Sequence, residues 1–497
     1  MRRLLASAAA VGFALAGCTP PAPPTVPDPA ESSSPTPTPE ARPFTVTTTE
    51  VPTTLDPAAS TTSADALVAL NAFSRLMVVH PEEATLKPDL ASDCIYTSPT
   101  TYQCDLPPGL TFHNGHALTA SDVKFSIERA YRLSTPRSSI KLFDSLQRVD
   151  IVNRYTVSFV LKYADTQFGH ALATTAASIV DEELYDPDQV RTNEGRVVGS
   201  GPYQLVTTAE DHLVFERFED YRGAQGGTLD EVKVVLAPDS AAVEQAIADG
   251  ATDVVWRSLT PAALDRLSAE MAAGEGTTKS GFTRVDLPPI RVQRLVFHPD
   301  SSFREDPAVR AAVAAALQAD RSLASIVPPT AAGSVDAFPV GGVAEVPDLG
   351  GQRLRLTLAY STRAPGQRDI ASLVRDRLEE RAGMSVQLVP DTNDADLLLT
   401  DRPAWVNTAF GWLQPYVEDA LPGSAEKVHD LVKRARETTD PAVRAALLAE
   451  LQHQAAVDLT VLPLSAGPET MLLGPGTTLQ GQPFGPAWQL GLWSLRD

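Results

Sequence analysis

The three cysteines of this 497-residue chain are the residues whose surroundings point most directly to chemistry. Cys18 follows Arg2, Arg3 and an apolar run from Leu4 to Ala16, closing the tetrapeptide Leu15-Ala16-Gly17-Cys18. A positive start followed by a short apolar run reads as a secretion leader that is too short to span a bilayer. The small residues before Cys18 resemble a bacterial lipobox, in which that cysteine becomes the acylated first residue of the mature chain. The other two, Cys94 and Cys104, flank a Thr/Ser/Pro-rich stretch with the character of a hairpin turn. Export implies an oxidising compartment, so a disulfide between them is expected. No His or Cys lies around them at zinc-finger spacing.

Covalent chemistry finds little support elsewhere. No Gly-x-Ser-x-Gly elbow, His-Glu-x-x-His or phosphate-binding Walker loop occurs, so an enzyme is not expected. His113 and His116 flank a turn and read as structural; no metal and no cofactor is assigned. A net charge of −21 opposes binding to nucleic acid or to anionic lipid and favours solubility.

Residues 19–43, rich in Pro, Ser, Thr and Ala, form a semi-rigid spacer rather than part of a core. Beyond them the pattern is mixed α/β. Strand alternation appears at 155–161, 213–218 and 232–236, with a helix over 240–249 ending at Gly250. Later, 353–360 reads as a strand, 368–382 as an amphipathic helix closed by Gly383, and 384–389 and 395–400 as strands, which implies a parallel crossover. Asp306-Pro307 and Asp440-Pro441 are sharp helix starts, Asp serving as N-cap and Pro as first helical residue. The second of these helices runs toward Asp458 and gives way to a strand over 459–464. Crossings between lobes are placed near 286–297 and 463–470. The expected organisation is 1–17 leader, 18–43 lipidated cysteine and spacer, 44–288 with 468–497 a discontinuous first lobe, and 289–467 an inserted second lobe. A cleft between lobes is the default ligand site.

The most specific segment is residues 110–129, LTFHNGHALTASDVKFSIER. Asn114-Gly115 is a turn dipeptide, Thr119 and Asp122 form a capping-box pair, and Leu118 can staple onto Val123. Val123, Ile127, Ala130 and Tyr131 are expected to form the buried stripe. This segment closely resembles the signature of family 5 extracellular solute-binding proteins, the oligopeptide, dipeptide and nickel group of ATP-binding-cassette (ABC) importers. Further landmarks are Leu55-Asp56-Pro57, residues 86–91, Val149-Asp150, Gly199 to Tyr203, Glu216-Arg217 with Asp220-Tyr221, and Asp306 with Val309-Arg310. The resemblance implies a bilobed periplasmic-binding-protein-like α/β fold (type II, cluster C) with a hinge. It also implies a monomeric receptor, held to the outer face of the cell membrane through Cys18, that delivers peptides or peptide-like solutes to a permease and its ATPase. A variant of this reading is a lipoprotein of actinobacterial type that has left transport and serves envelope lipid or glycolipid assembly.

In peptide-binding relatives, a segment resembling Gly-Trp-x-Ala-Asp-Tyr meets the ligand, and its Asp pairs with the peptide amino group. The matching residues here are Gly411, Trp412 and Tyr416, but the Asp position is Pro415, which has neither charge nor donor. Glu418 or Asp419 could substitute. Opposite them, the resemblance brings Thr61 to Ser63 and Trp256 to the cleft. Phe218 and Arg222 stand where relatives often carry Asn and Trp.

Overall fold

The computed structural model describes residues 42–497 apart from 352, 402 and 403, so the leader, Cys18 and the spacer up to residue 41 lie outside the described residues. The alternating sequence of Phe44–Thr48 makes a strand buried along its whole length. It takes the centre of a seven-stranded sheet, pairing in parallel with Glu231–Leu236 on one side and Val254–Trp256 on the other. Outward from there the ladder turns antiparallel. His212–Arg217 and Tyr203–Thr208 follow on one flank, and Thr470–Leu473 and Thr283–Asp286 on the other.

A four-stranded antiparallel sheet adds Asp93–Ser98, Thr101–Asp105, Thr156–Leu161 and Leu146–Asn153. Cys94 and Cys104 sit opposite each other on its first two strands and form a disulfide. Helix α1 (Ala120–Leu133) packs on this sheet, and the Thr119 and Asp122 capping box closes its start, with Thr119 N–H donating to Asp122 Oδ2 at 2.8 Å. Val123, Ile127 and Ala130 are buried as expected, but Tyr131 is 44% exposed. Residue 131 lies about 100° beyond Ala130 around the helix. That takes it past the packed face, where its ring meets Lys162. Arg129, on the buried side, makes a two-pronged pair with Asp56 at 3.0 and 2.6 Å, which accounts for the Leu55-Asp56-Pro57 landmark.

The third sheet has five strands in the order Ser385–Pro390, Arg355–Tyr360, Leu397–Thr400, Arg291–Phe297, Val461–Gly467. Its first two strands run parallel around helix Gln367–Arg381, the crossover read from the sequence. The chain enters this sheet through residues 287–290 and leaves through Pro468 and Glu469. The two passages lie side by side. Thr283–Asp286 pairs with Thr470–Leu473, Arg291–Val296 with Val461–Gly467, and between them Leu287 N–H donates to Glu469 O at 2.8 Å. A paired double crossing of this kind joins two lobes and can flex as a unit.

Each lobe has its own apolar core. That of the second runs from Val292 to Leu464. The core beneath the four-stranded sheet belongs to the first lobe, yet it also takes in Trp405 and Val406, which lie in the second lobe's stretch of chain. Among the described residues, no helix is long and apolar enough to cross a membrane.

Candidate functional site

A cavity of about 430 Å³ opens between the lobes. The parallel strands Arg355–Tyr360 and Ser385–Pro390 both end at it, delivering residues 359–361 and 391–393, as expected for ligand sites at the carboxyl edge of parallel strands. Arg294 and Val296, from the interior strand Arg291–Phe297, line it as well. Helix α2 (Ala409–Glu418) supplies Gly411, Gln414, Pro415 and Glu418, followed by Asp419, the spacing of one helical face. The first lobe contributes Thr53 and Arg137, and the connecting segment before α2 contributes Ala404 and Trp405.

That connecting segment is what holds α2 in place. Trp405 is planted in the first lobe's core, and its indole N–H donates to Arg137 O at 3.2 Å. Asn407 N–H donates to Pro486 O at 2.9 Å and the side-chain amide to Pro81 O at 2.7 Å, both in the first lobe. Its Oδ1 accepts from Trp412 Nε1 at 2.8 Å. Thr408 then caps α2, its hydroxyl accepting from Gly411 N–H at 3.2 Å. A second tie lies on helix Ala425–Glu437, where Arg436 pairs with the buried Asp165 of the first lobe at 3.0 Å.

The sequence-derived residues fall into three positions. Gly411 is on the cavity wall, and glycine is required there because a Cβ would lie 2.1 Å from Val406 O. Trp412 and Tyr416 belong to the second lobe's core beneath that wall. Trp412 packs under the Arg294 guanidinium, 5.1 Å from the ring centre, and Tyr416 OH donates to Asp458 Oδ2 at 2.6 Å, its phenol pushed upward by burial and that carboxylate. Trp256 lies inside the seven-stranded sheet, stacked on Phe484 at 5.9 Å. Thr61 and Ser63 flank Thr62, the N-cap of helix Ser63–Ala72. Thr61 reaches the cavity indirectly, since Asp65 accepts from Thr61 N–H at 2.9 Å and from Thr53 N–H at 2.7 Å, and Thr53 is the lining residue.

Pro415 has a definite effect on this wall. Lacking an N–H, it cannot close the helical bond to the carbonyl four residues back, which is that of Gly411. Arg294, Arg137, Asp391 and Trp405 were not singled out from the sequence. The chain-order separation of these residues hides their meeting. Of the acids, Asp391 accepts from Thr362 N–H at 2.9 Å and from its hydroxyl, and Glu418 Oε1 accepts from Arg137 N–H at 3.4 Å. Burial pushes the Asp419 carboxyl up, opposed by Arg304, Arg137, His298 and Lys141 around it. Among the described residues, no group of His, Cys, Asp or Glu could hold a metal ion.

The signature segment 110–129 lies outside the cavity lining and works as architecture. Gly199 N–H donates to His113 Nδ1 at 3.2 Å while Nε2 meets Gly201 O at 3.0 Å. A Cβ on Gly199 would fall 1.9 Å from Ala72 O, and one on Gly201 2.5 Å from Asn71 O.

The family description of bacterial extracellular solute-binding proteins, family 5, matches residues 85–348, more than half of the chain. The chain belongs to this family. Solved structures with the same bilobed fold include the dipeptide-binding protein of Pseudoalteromonas sp. SM9913 in complex with Met-Leu, at 17% identity and a TM-score of 0.76 over 92% of this chain and all of that one. AgaA of A. tumefaciens R10, in complex with agropinic acid, gives 18% identity and a TM-score of 0.77 over 92% and 98% of the two chains. Among curated proteins, the transcriptional regulator SgrR of Pectobacterium atrosepticum is 28% identical over 172 residues, 35% of this chain. The match spans only 29% of that regulator's length.

Proposed function

We propose that this family 5 protein is the extracytoplasmic receptor of an ABC importer, tethered to the outer face of the membrane through acylated Cys18, and that the interlobe cavity holds a peptide or peptide-like solute for delivery to the permease. The observation that carries this reading is a cavity walled by both lobes beside a paired double crossing, so that a bound solute would bias the lobes toward closure. At about 430 Å³ the cavity sits at the lower end of the usual range of roughly 300–1,000 Å³, which suits a short ligand. Gly411 would form its wall, with Trp412 and Tyr416 setting the height of α2 from beneath, Thr61 steadying Thr53 through Asp65, and Ser63 opening the helix that carries Asp65. Trp256 would support the first lobe's side through the sheet. No reacting group is invoked.

Native mass spectrometry on the full chain, purified gently from its host, tests the reading. Co-purifying short peptides would support import. A trapped lipid or glycolipid, together with failure to bind a peptide library, would replace it with a role in envelope assembly, the reading favoured by Pro415 at the amine-anchor position. A lipid-sized mass on the Cys18 peptide, lost in Cys18→Ser, tests the tether.

A further inference from the structure

Five charged side chains gather where the chain crosses between the lobes, and none of them lines the cavity. Glu50 follows the central strand Phe44–Thr48, and Arg257 follows its parallel neighbour Val254–Trp256, so both ride on the first lobe. Glu469 lies in the exit crossing, its carbonyl bonded to Leu287 of the entry crossing. Arg291 opens the first strand beyond the entry, and Asp401 follows strand Leu397–Thr400 of the second lobe. Arg291 is committed: its Nε donates to Asp401 Oδ2 at 2.9 Å and its Nη2 to Pro365 O at 3.2 Å. Arg257 is divided. Its Nε lies 3.3 Å from Glu50 Oε1 and 3.3 Å from Glu469 Oε2. Its φ of 51° is a left-handed conformation, which a non-glycine residue keeps only where its surroundings enforce it.

Three carboxylates thus face two guanidiniums, and one negative charge is left without a counter-ion in a largely buried place. Such a charge is costly. Burial pushes the Asp401 carboxyl up, but Arg291 and Arg257 outweigh it and hold it below its ordinary value. The excess falls on Glu50. Burial raises its carboxyl above the ordinary 4.5; Arg257 and, more weakly, Arg291 oppose the rise, while Asp401 and Glu469 add to it.

The balance depends on the angle between the lobes, because Glu50 moves with the first lobe, Glu469 with the crossing, and Asp401 and Arg291 with the second lobe. The lobes touch beside Glu50, where the Thr49 hydroxyl donates to Arg363 O at 3.3 Å. Parting them there would admit water to Glu50 and take Asp401 away, and both changes favour the ionised form. We propose that lobe closure is coupled to protonation at the crossing: a proton from solvent settles on Glu50, the five-group cluster becomes neutral, and Arg257 is left to pair with Glu469. The coupling belongs to the hinge and holds whatever solute the cavity takes.

The sign follows from linkage. The closed form binds this proton more tightly than the open form, so the contribution to closure is complete below about pH 4.5 and is lost as pH rises through the raised value of Glu50. The test needs no ligand. Spin labels on Glu216→Cys and Asp376→Cys, exposed residues of the first and second lobes, report the interlobe distance in the full chain by pulsed electron resonance from pH 5 to pH 8. The open-to-closed ratio should rise at least about fivefold over that range, the lower end of typical coupling between linked equilibria. Glu50→Gln, neutral and of the same shape, should stay within about twofold throughout. Glu469→Gln leaves Arg257 to Glu50 alone and should move the parent's transition to lower pH, which also decides the matter should Glu50→Gln fail to fold. A ratio independent of pH in the parent, a pH dependence unchanged in Glu50→Gln, or a transition unmoved in Glu469→Gln overturns the coupling.

Discussion

The carbonyl oxygen of Val406 occupies the space a side chain on residue 411 would need, 2.1 Å from the position of a Cβ on Gly411. The glycine therefore lets α2 close onto the segment that crosses to the first lobe. Gly411→Ala must push α2 away from that segment, and the helix carries Gln414, Pro415 and Glu418 with it. We expect a loss of about 1–3 kcal/mol in stability and at least about tenfold in ligand affinity. Gly423→Ala, where a Cβ meets nothing within 4 Å, should leave both unchanged. Thermal melts and calorimetry on the pair decide it.

Asn407 gives the attachment its polar part. Asn407→Ala leaves the buried Trp412 indole N–H without its acceptor and releases Pro81 O, for an expected cost of about 1–3 kcal/mol. Because Pro81 belongs to the first lobe and Trp412 to the second, the lobes should separate more readily. Small-angle scattering should show a larger radius of gyration for the ligand-free variant than for the parent. Equal radii, with equal hydrogen exchange over residues 404–412, would mean that the segment does not restrain the lobes.

The sequence was most readable where structure is local. The starts at Asp306-Pro307 and Asp440-Pro441 are capped helices, and 240–249 and 368–382 are helices to within a residue or two. Local hydrogen bonding decides such elements, and the residues that supply it are adjacent in the chain. The cysteine pairing was legible for the same reason, since one hairpin brings the two residues face to face. Tyr131 fell outside its expected stripe because periodicity gives an angle around a helix but not the width of the surface it meets. The site was harder to see. Thr53, Arg137, Arg294, Asp391 and Trp405 come together only through the packing of two lobes, and spacing in sequence holds no trace of that meeting. Asp65, which the sequence did not bring forward, closes the capping box of helix Ser63–Ala72 while its carboxylate also holds Thr53.

His113 makes stability depend on pH. Burial lowers its pKa from 6.5 to about 4 in the folded chain, despite the hydrogen bond to Gly201 O. The unfolded chain therefore binds the extra proton between those values and the folded chain resists it. Stability from this group is complete above about pH 6.5 and declines as pH falls toward 4, by about 3 kcal/mol at most. His113→Gln should be less stable at neutral pH, having lost the bonds to Gly199 and Gly201, yet lose less on acidification. Urea melts of both proteins from pH 7 to pH 4 give the difference directly; parallel curves would show that this imidazole does not titrate on unfolding.

The disulfide should matter for the first lobe without touching recognition. Closing a loop over a sequence separation of 10 removes unfolded-state freedom worth about 2–3 kcal/mol. Cys94→Ser with Cys104→Ser should lower the melting midpoint accordingly, because Cys104 is fully buried in the core beneath the four-stranded sheet and its hydroxyl replacement must be accommodated there. No residue of strands Asp93–Ser98 or Thr101–Asp105 lines the cavity, so ligand affinity at a temperature well below the transition should stay within about twofold of the parent. A large fall in affinity would mean that this sheet positions Trp405 and Arg137 more tightly than its separation from the cavity lining suggests, since Trp405 shares its core.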